Sequence, residues 1–175
     1  MERLFFMFSG NYKGTGNALD NILIGNAGQN VLNGYLGADT MQGGLGNDTY
    51  IVDNYGDVVI ESANAGFDTV HSTLDHALGD NFERLLLLFG GDINGAGNSG
   101  NNVLIGNTGN NILNGAFGND TMTGGAGADQ FLVRQQFGPL WKQHRHHCRF
   151  YVGNRPTQIV ASGVYLPCAR QCCCR

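Results

Sequence analysis

Before residue 134 the sequence has no cysteine, no proline and no tryptophan. Without cysteine that stretch can hold neither a disulfide framework nor a thiolate metal site, and its redox compartment cannot be read. Charge is scarce too, with Asp, Glu, Lys and Arg making up only 14% of the chain. No apolar run approaches the ~20 residues of a membrane-spanning helix. There is no H-E-x-x-H, no G-x-S-x-G and no paired catalytic carboxylates outside the repeats described below, so nothing points to an enzyme. Basic residues are nearly missing from this part: Arg3, Lys13 and Arg84 face fourteen acidic residues, an excess of eleven negative charges. Such a surface repels nucleic acid and suits hard cations. Residues 134–175 reverse every one of these features. They hold the five cysteines, the three prolines, the tryptophan and seven basic residues, with no acid.

What the sequence does have is glycine, 28 residues of it. Abundant Gly without Pro means either low complexity or a regular, turn-rich repeat. Laid over one another, 2–52 and 83–133 align without a gap, and 27 of the 51 positions are identical. MERLFFMFSGNYKGTGN thereby falls on FERLLLLFGGDINGAGN, pairing Glu2 with Glu83 and Phe8 with Phe89. The opening residues therefore read as the middle of a repeating unit rather than as a signal peptide, and the chain as a piece of a longer array.

A period of nine runs inside each unit. The first block, 16–51, is GNALDNILI, GNAGQNVLN, GYLGADTMQ and GGLGNDTYI; the second, 97–132, is GNSGNNVLI, GNTGNNILN, GAFGNDTMT and GGAGADQFL. Position one is always Gly and position six always Asn or Asp. Position eight is always large and apolar: Leu23, Leu32, Met41, Tyr50, Leu104, Leu113, Met122 and Phe131. Glycine permits the left-handed backbone of a tight turn, and the apolar or β-branched residues after position six suit a short strand. One inward side chain per nonapeptide cannot bury itself alone. Successive coils must stack, which makes the array a solenoid. A disordered linker would not keep eight apolar residues in phase.

GGLGNDTYI (43–51) and GGAGADQFL (124–132) fit G-G-x-G-x-D-x-U-x, with U apolar, at every fixed position. The region 1–133 thus resembles the haemolysin-type calcium-binding, or repeats-in-toxin (RTX), family. The resemblance implies an all-β fold, a right-handed parallel β-roll with two nonapeptides per coil and Ca2+ held between turns on each edge. Calcium takes six to eight oxygens at about 2.3–2.6 Å, and coils lie about 4.8 Å apart, so one ion can bridge a loop and the loop above it. With two nonapeptides per coil, Asn21 stacks with Asp39, Asn30 with Asp48, Asn102 with Asp120 and Asn111 with Asp129. Asp39, Asp48, Asp120 and Asp129 are the expected principal ligands. The carbonyls of Gly37, Gly46, Gly118 and Gly127 complete the shell. Asn21, Asn30, Asn102 and Asn111 depart from the family pattern. They offer neutral oxygens, as weak ligands or as turn caps, so fewer or weaker sites are expected than repeats. The resemblance further implies a secreted, extracellular bacterial protein exported by a one-step (type I) secretion machinery and folded by external calcium. Two other readings are a detached part of a secreted protease, lipase, epimerase or toxin, and a structural surface or adhesion array.

The spacer 53–96 reads as strand-rich, with DVVIE (57–61), DTVHSTL (68–74) and ERLLLLF (83–89) between turns. His71 and His76 are isolated and read as surface residues rather than metal ligands. In the tail, His144, His146, His147 and Cys148 invite a zinc site, but the adjacent Cys172, Cys173 and Cys174 are poor geometry for one tetrahedral ion. A shifted reading frame accounts for 134–175 better, and a frameshifted segment would be disordered. Back-translated and read one base later, Trp141 to Phe150 permits GNNIDTIADF, and Phe150 to Val160 permits FTSGTDRLKL. Both resemble the IDTITDFxxGxDxLxL stretch into which repeat blocks of this family run. Sequencing the coding DNA around codons 133–141 should reveal a one-base insertion or deletion. An open present frame shared by independent isolates would refute it.

Overall fold

The computed structural model describes residues 1–134, 147–152 and 158–161. Its secondary structure there is strand and turn, without a helix. In the first block and its approach, the strands are β1 (Glu2–Phe5), β2 (Lys13–Thr15), β3 (Asn21–Ile24), β4 (Val31–Asn33), β5 (Thr40–Gln42) and β6 (Thr49–Val52). The spacer supplies β7 (Val58–Ile60), β8 (Thr69–Ser72), β9 (His76–Ala77), β10 (Arg84–Leu87) and β11 (Gly95–Ala96). The second block supplies β12 (Val103–Ile105), β13 (Ile112–Asn114), β14 (Asp120–Thr123) and β15 (Asp129–Arg134).

Odd and even strands part company. Strands β2, β4, β6, β8, β10, β12 and β14 form one continuous parallel sheet. Facing it are two shorter parallel sheets, β1-β3-β5-β7 and β9-β11-β13-β15. The strands stack as a β-solenoid of about seven turns, consistent with the β-roll that the family resemblance implies. Within the blocks each strand pairs with the strand two nonapeptides on: Leu23 with Met41, Leu32 with Tyr50, Leu104 with Met122, and Leu113 with Phe131. Each strand is short because only the residues after position six are extended before the next glycine turn.

All eight position-eight side chains are fully enclosed, at 0% exposure. They run in file between the two faces; Val52 extends the file at the end of β6, and the spacer continues it with Val70, Leu78, Phe82, Leu85 and Leu87. Tyr50 meets Phe82 edge-on, with ring centroids 5.3 Å apart. Such a core is one side chain thick, so each member has few substitutes.

The two blocks are not simple translations of one another. The offset between them is nine nonapeptides, which at two per coil is four and a half coils. Repeats one and three of the first block therefore lie in the shorter sheet (β3, β5), while their counterparts in the second lie in the long sheet (β12, β14). Duplication moved the block along the axis and half a turn around it.

Two further strands follow Arg134: β16 (His147–Val152), antiparallel to β15, and β17 (Gln158–Ala161), antiparallel to β14. A segment expected to be wholly disordered thus contributes two extended stretches. The reason is generic: an end strand offers free N–H and C=O groups that any extended chain can meet. The candidate zinc ligands His144 and His146, the cysteines Cys168, Cys172, Cys173 and Cys174, and the rest of the tail lie outside the described residues.

Truncating one residue of the file, Leu104→Ala, should cost about 2–5 kcal/mol. Chemical denaturation in saturating calcium would read this. A loss under about 1 kcal/mol would mean that the coils do not depend on the file.

Candidate functional site

The edges of the solenoid are built by position six. In every repeat this side chain is at most 3% exposed. It folds back over the position-one glycine of its own turn. A Cβ on Gly34 would lie 2.0 Å from Asp39 Oδ2, and one on Gly43 2.2 Å from Asp48 Oδ2. No other residue fits at position one, which explains its invariance within the chain.

Position-six groups stack as expected. The Asn21 backbone N–H donates to Asp39 Oδ1 (2.7 Å), Asn30 to Asp48 (2.6 Å), Asn102 to Asp120 (2.9 Å) and Asn111 to Asp129 (3.0 Å). Each aspartate thus commits one oxygen to the coil before it. The second oxygens of Asp39 and Asp48 are buried without any hydrogen-bond partner. A desolvated, unpaired carboxylate oxygen is costly. Burial accordingly raises the pKa of Asp39, Asp48 and Asp129, and that of Asp120 to about 6, against backbone hydrogen bonds that lower them.

Asparagine at the same position behaves differently. Asn30 Oδ1 accepts the Asn26 N–H at 2.8 Å, while Asn30 Nδ2 donates back to Asn26 Oδ1 at 3.2 Å. Asn107 and Asn111 form the same ring at 2.9 and 3.1 Å, as do Asn17 and Asn21 at 2.8 and 3.3 Å. Asn102 likewise accepts from Asn98, and its Nδ2 reaches Phe82 O. In these G-N-x-x-x-N turns the backbone N–H of the position-two asparagine closes the loop on position six. In the Asp turns position two instead takes positive φ, at Tyr35 (67°), Gly44 (104°), Ala116 (63°) and Gly125 (97°). Gly37, Gly46, Gly118 and Gly127 share that left-handed backbone, with φ from 102° to 118°. Among the described residues no hydrogen bond ends on the carbonyl oxygens of those four glycines.

The spacer extends the column in a way the nonapeptide pattern does not announce. Asp39 N–H donates to Asp57 Oδ1 (3.0 Å), Asp48 N–H to Asp68 Oδ1 (2.8 Å), and Asp68 N–H to Glu83 Oε2 (2.7 Å). A signal is present at 66–70: GFDTV has the Gly, Asp and apolar residue of GNDTY (46–50) at the same offsets. Asn64, at position two of that degenerate turn, shares its positive φ of 60°. His71 and His76 are only half-exposed rather than surface groups, and burial lowers the pKa of both.

The donor set is oxygen only, carboxylate and carbonyl, which is the chemistry of calcium rather than of a softer metal. Its raised carboxylate pKa values have a consequence. Without calcium, protons bind the folded chain more tightly than the unfolded one, where Asp titrates near its ordinary 3.8. That stability is present below the unfolded value and is lost as pH rises through about 6. In chelator the chain should therefore melt a few degrees higher at pH 5 than at pH 7.5. A Tm that climbs across that interval would contradict it.

Residues 15–50 and 96–131 match the RTX calcium-binding nonapeptide repeat, in four copies. No curated protein and no solved structure matches the chain. The matched stretches carry the position-six column, the enclosed position-eight file and the two kinds of turn. Calcium binding is accordingly a property of the repeat region. In residues 15–50 and 96–131 the chain carries RTX calcium-binding nonapeptide repeats, and through those two stretches it belongs to that family.

Proposed function

We propose that this solenoid is a calcium-responsive folding module of a secreted bacterial protein, and that it carries no catalysis of its own. One observation supports this most: buried carboxylate oxygens without a partner line the coil edges, so the fold stays incomplete until a cation arrives. Asp39, Asp48, Asp120 and Asp129 are the principal ligands in this reading, with carbonyls of Gly37, Gly46, Gly118 and Gly127 beside them. Asn21, Asn30, Asn102 and Asn111 serve mainly as turn closers, because their amide oxygens already hold a backbone N–H. Eleven excess negative charges over 1–133 oppose compaction at low calcium. Binding energy then becomes folding energy. A chain loose in the calcium-poor cytosol and folded outside suits passage through a one-step secretion machinery.

Circular dichroism of the full chain should show β-structure growing on addition of millimolar calcium. Magnesium should do much less, because it demands tight octahedral geometry and dehydrates reluctantly. Asp129→Ala should shift the calcium midpoint upward several-fold, and Asn102→Ala should shift it less. A spectrum indifferent to calcium would sink the proposal; equal shifts would mean that position six serves only the turn.

A further inference from the structure

Where the first block gives way to the spacer, three acidic side chains from different segments converge. Asp48 precedes β6, Glu61 follows β7, and Asp68 precedes β8. One carboxylate oxygen from each lies within 4.8 Å of the others. All three residues are buried, at 1%, 7% and 0% exposure. Asp48 Oδ2 and Asp68 Oδ2 have no hydrogen-bond partner. Among the described residues no lysine or arginine figures in the neighbours that shift these three carboxyls.

The surroundings hold this arrangement in place. The Tyr50 hydroxyl donates to Glu61 Oε1 and accepts the Gly43 N–H. Ser62 N–H donates to Glu61 Oε2, and Asn81 Nδ2 to the Glu61 carbonyl. Gly43 leaves the space open, since a Cβ there would stand 2.2 Å from Asp48 Oδ2 and 2.4 Å from the Tyr50 hydroxyl. The Tyr50 ring is itself held edge-on against Phe82. Three carboxylates this close and this dry repel strongly. Burial pushes Glu61 up to about 7, with the charges of Asp68 and Asp48 adding to it, and pushes Asp68 up to about 6, with those of Asp48 and Glu83 adding.

We infer that Asp48, Glu61 and Asp68 form a dedicated site for a hard dication at this junction. Glu61 and Asp68 lie outside the matched repeats. The donors are three carboxylate oxygens gathered within 4.8 Å of one another, the hard all-oxygen set that calcium takes. Charge sets the rank. Each stacked pair within the repeat blocks holds one carboxylate, whereas this site holds three, so it fills first. The inference rests on the calcium reading above, but depends on a residue that reading does not use, Glu61.

Calcium titration of the full chain by calorimetry, wild type against Glu61→Gln, tests it. Glutamine keeps an oxygen for the Tyr50 hydroxyl and removes one charge. The variant should bind one calcium fewer, or bind its tightest ion about tenfold or more weakly. In chelator it should melt no lower than wild type, because repulsion is relieved. Terbium emission sensitised through the adjacent Tyr50 should fall in parallel. If E61Q does not fold, Asp68→Asn is read by the same measures. A wild-type chain that binds calcium, with E61Q and D68N matching it in stoichiometry, affinity and emission, would overturn this site alone. A wild-type chain that binds no calcium would overturn both readings.

Discussion

Everything in this molecule follows from stacking coils about one strand spacing apart along an edge with room for only one kind of turn. At that separation the backbone N–H at position six reaches the position-six oxygen one coil further on, as from Asn30 to Asp48 and from Asp48 to Asp68. The bond fixes the register of neighbouring coils. It also takes the side chain out of water and presses it against a glycine Cα. Once that has happened, what remains of the side chain decides the chemistry of the turn. An amide has a donor to give back and can close on the position-two asparagine. A carboxylate has only a second acceptor, which finds no protein donor at Asp39, Asp48 or Asp68. The difference between a self-sufficient turn and one that needs a cation is a single NH2 group.

This divides labour within each block. Two Asn turns come first and two Asp turns follow, in both copies. Since each Asp accepts from the coil before it, every Asp in the blocks rests on an Asn turn that is already internally bonded. The Asn turns thus supply a preorganised ledge, and the cation-requiring layer is built on it. A block of Asp turns alone would stack charge on charge, with a larger calcium-free penalty. The interleaving keeps one carboxylate per pair.

Much of this could be read from residues. The nonapeptide period assigned each position its environment, and all eight position-eight side chains are enclosed as that period requires. The stacked pairs followed from placing two nonapeptides in each coil. Other features were less legible, for physical reasons. The half-turn between blocks lies in the arithmetic of an odd number of nonapeptides at two per coil, but a pattern of apolar positions looks the same from either face. Glu61 carried no signal, because it belongs to no repeat and gains its neighbours only through the crossing from one face to the other. Asp68 was hidden by a turn whose first glycine has become Ala63. Strands β16 and β17 were beyond reach, since pairing on an open edge needs extended backbone rather than any particular sequence.

The spacer obeys a constraint of its own. Its coils are irregular: Thr49 pairs with Thr69, Thr69 with Arg84 and Arg84 with Val103. The first of these steps is longer than two nonapeptides, the second shorter and the third slightly longer again. Yet from Thr49 to Val103 the chain advances by six nonapeptides, the length of three regular coils. A long coil is compensated by a short one, and the second block starts in phase with the first. The long coil is the one that contains Glu61. Its extra length lets the chain turn Glu61 inward toward Asp48 and Asp68 instead of stepping directly to the next strand. The short coil that follows takes up the excess before the column of even strands would lose register. A segment that reads as a mere connector is therefore held to a fixed total length by the sheet. Within that total it is free to redistribute residues, and it uses that freedom to bring a third carboxylate to the edge.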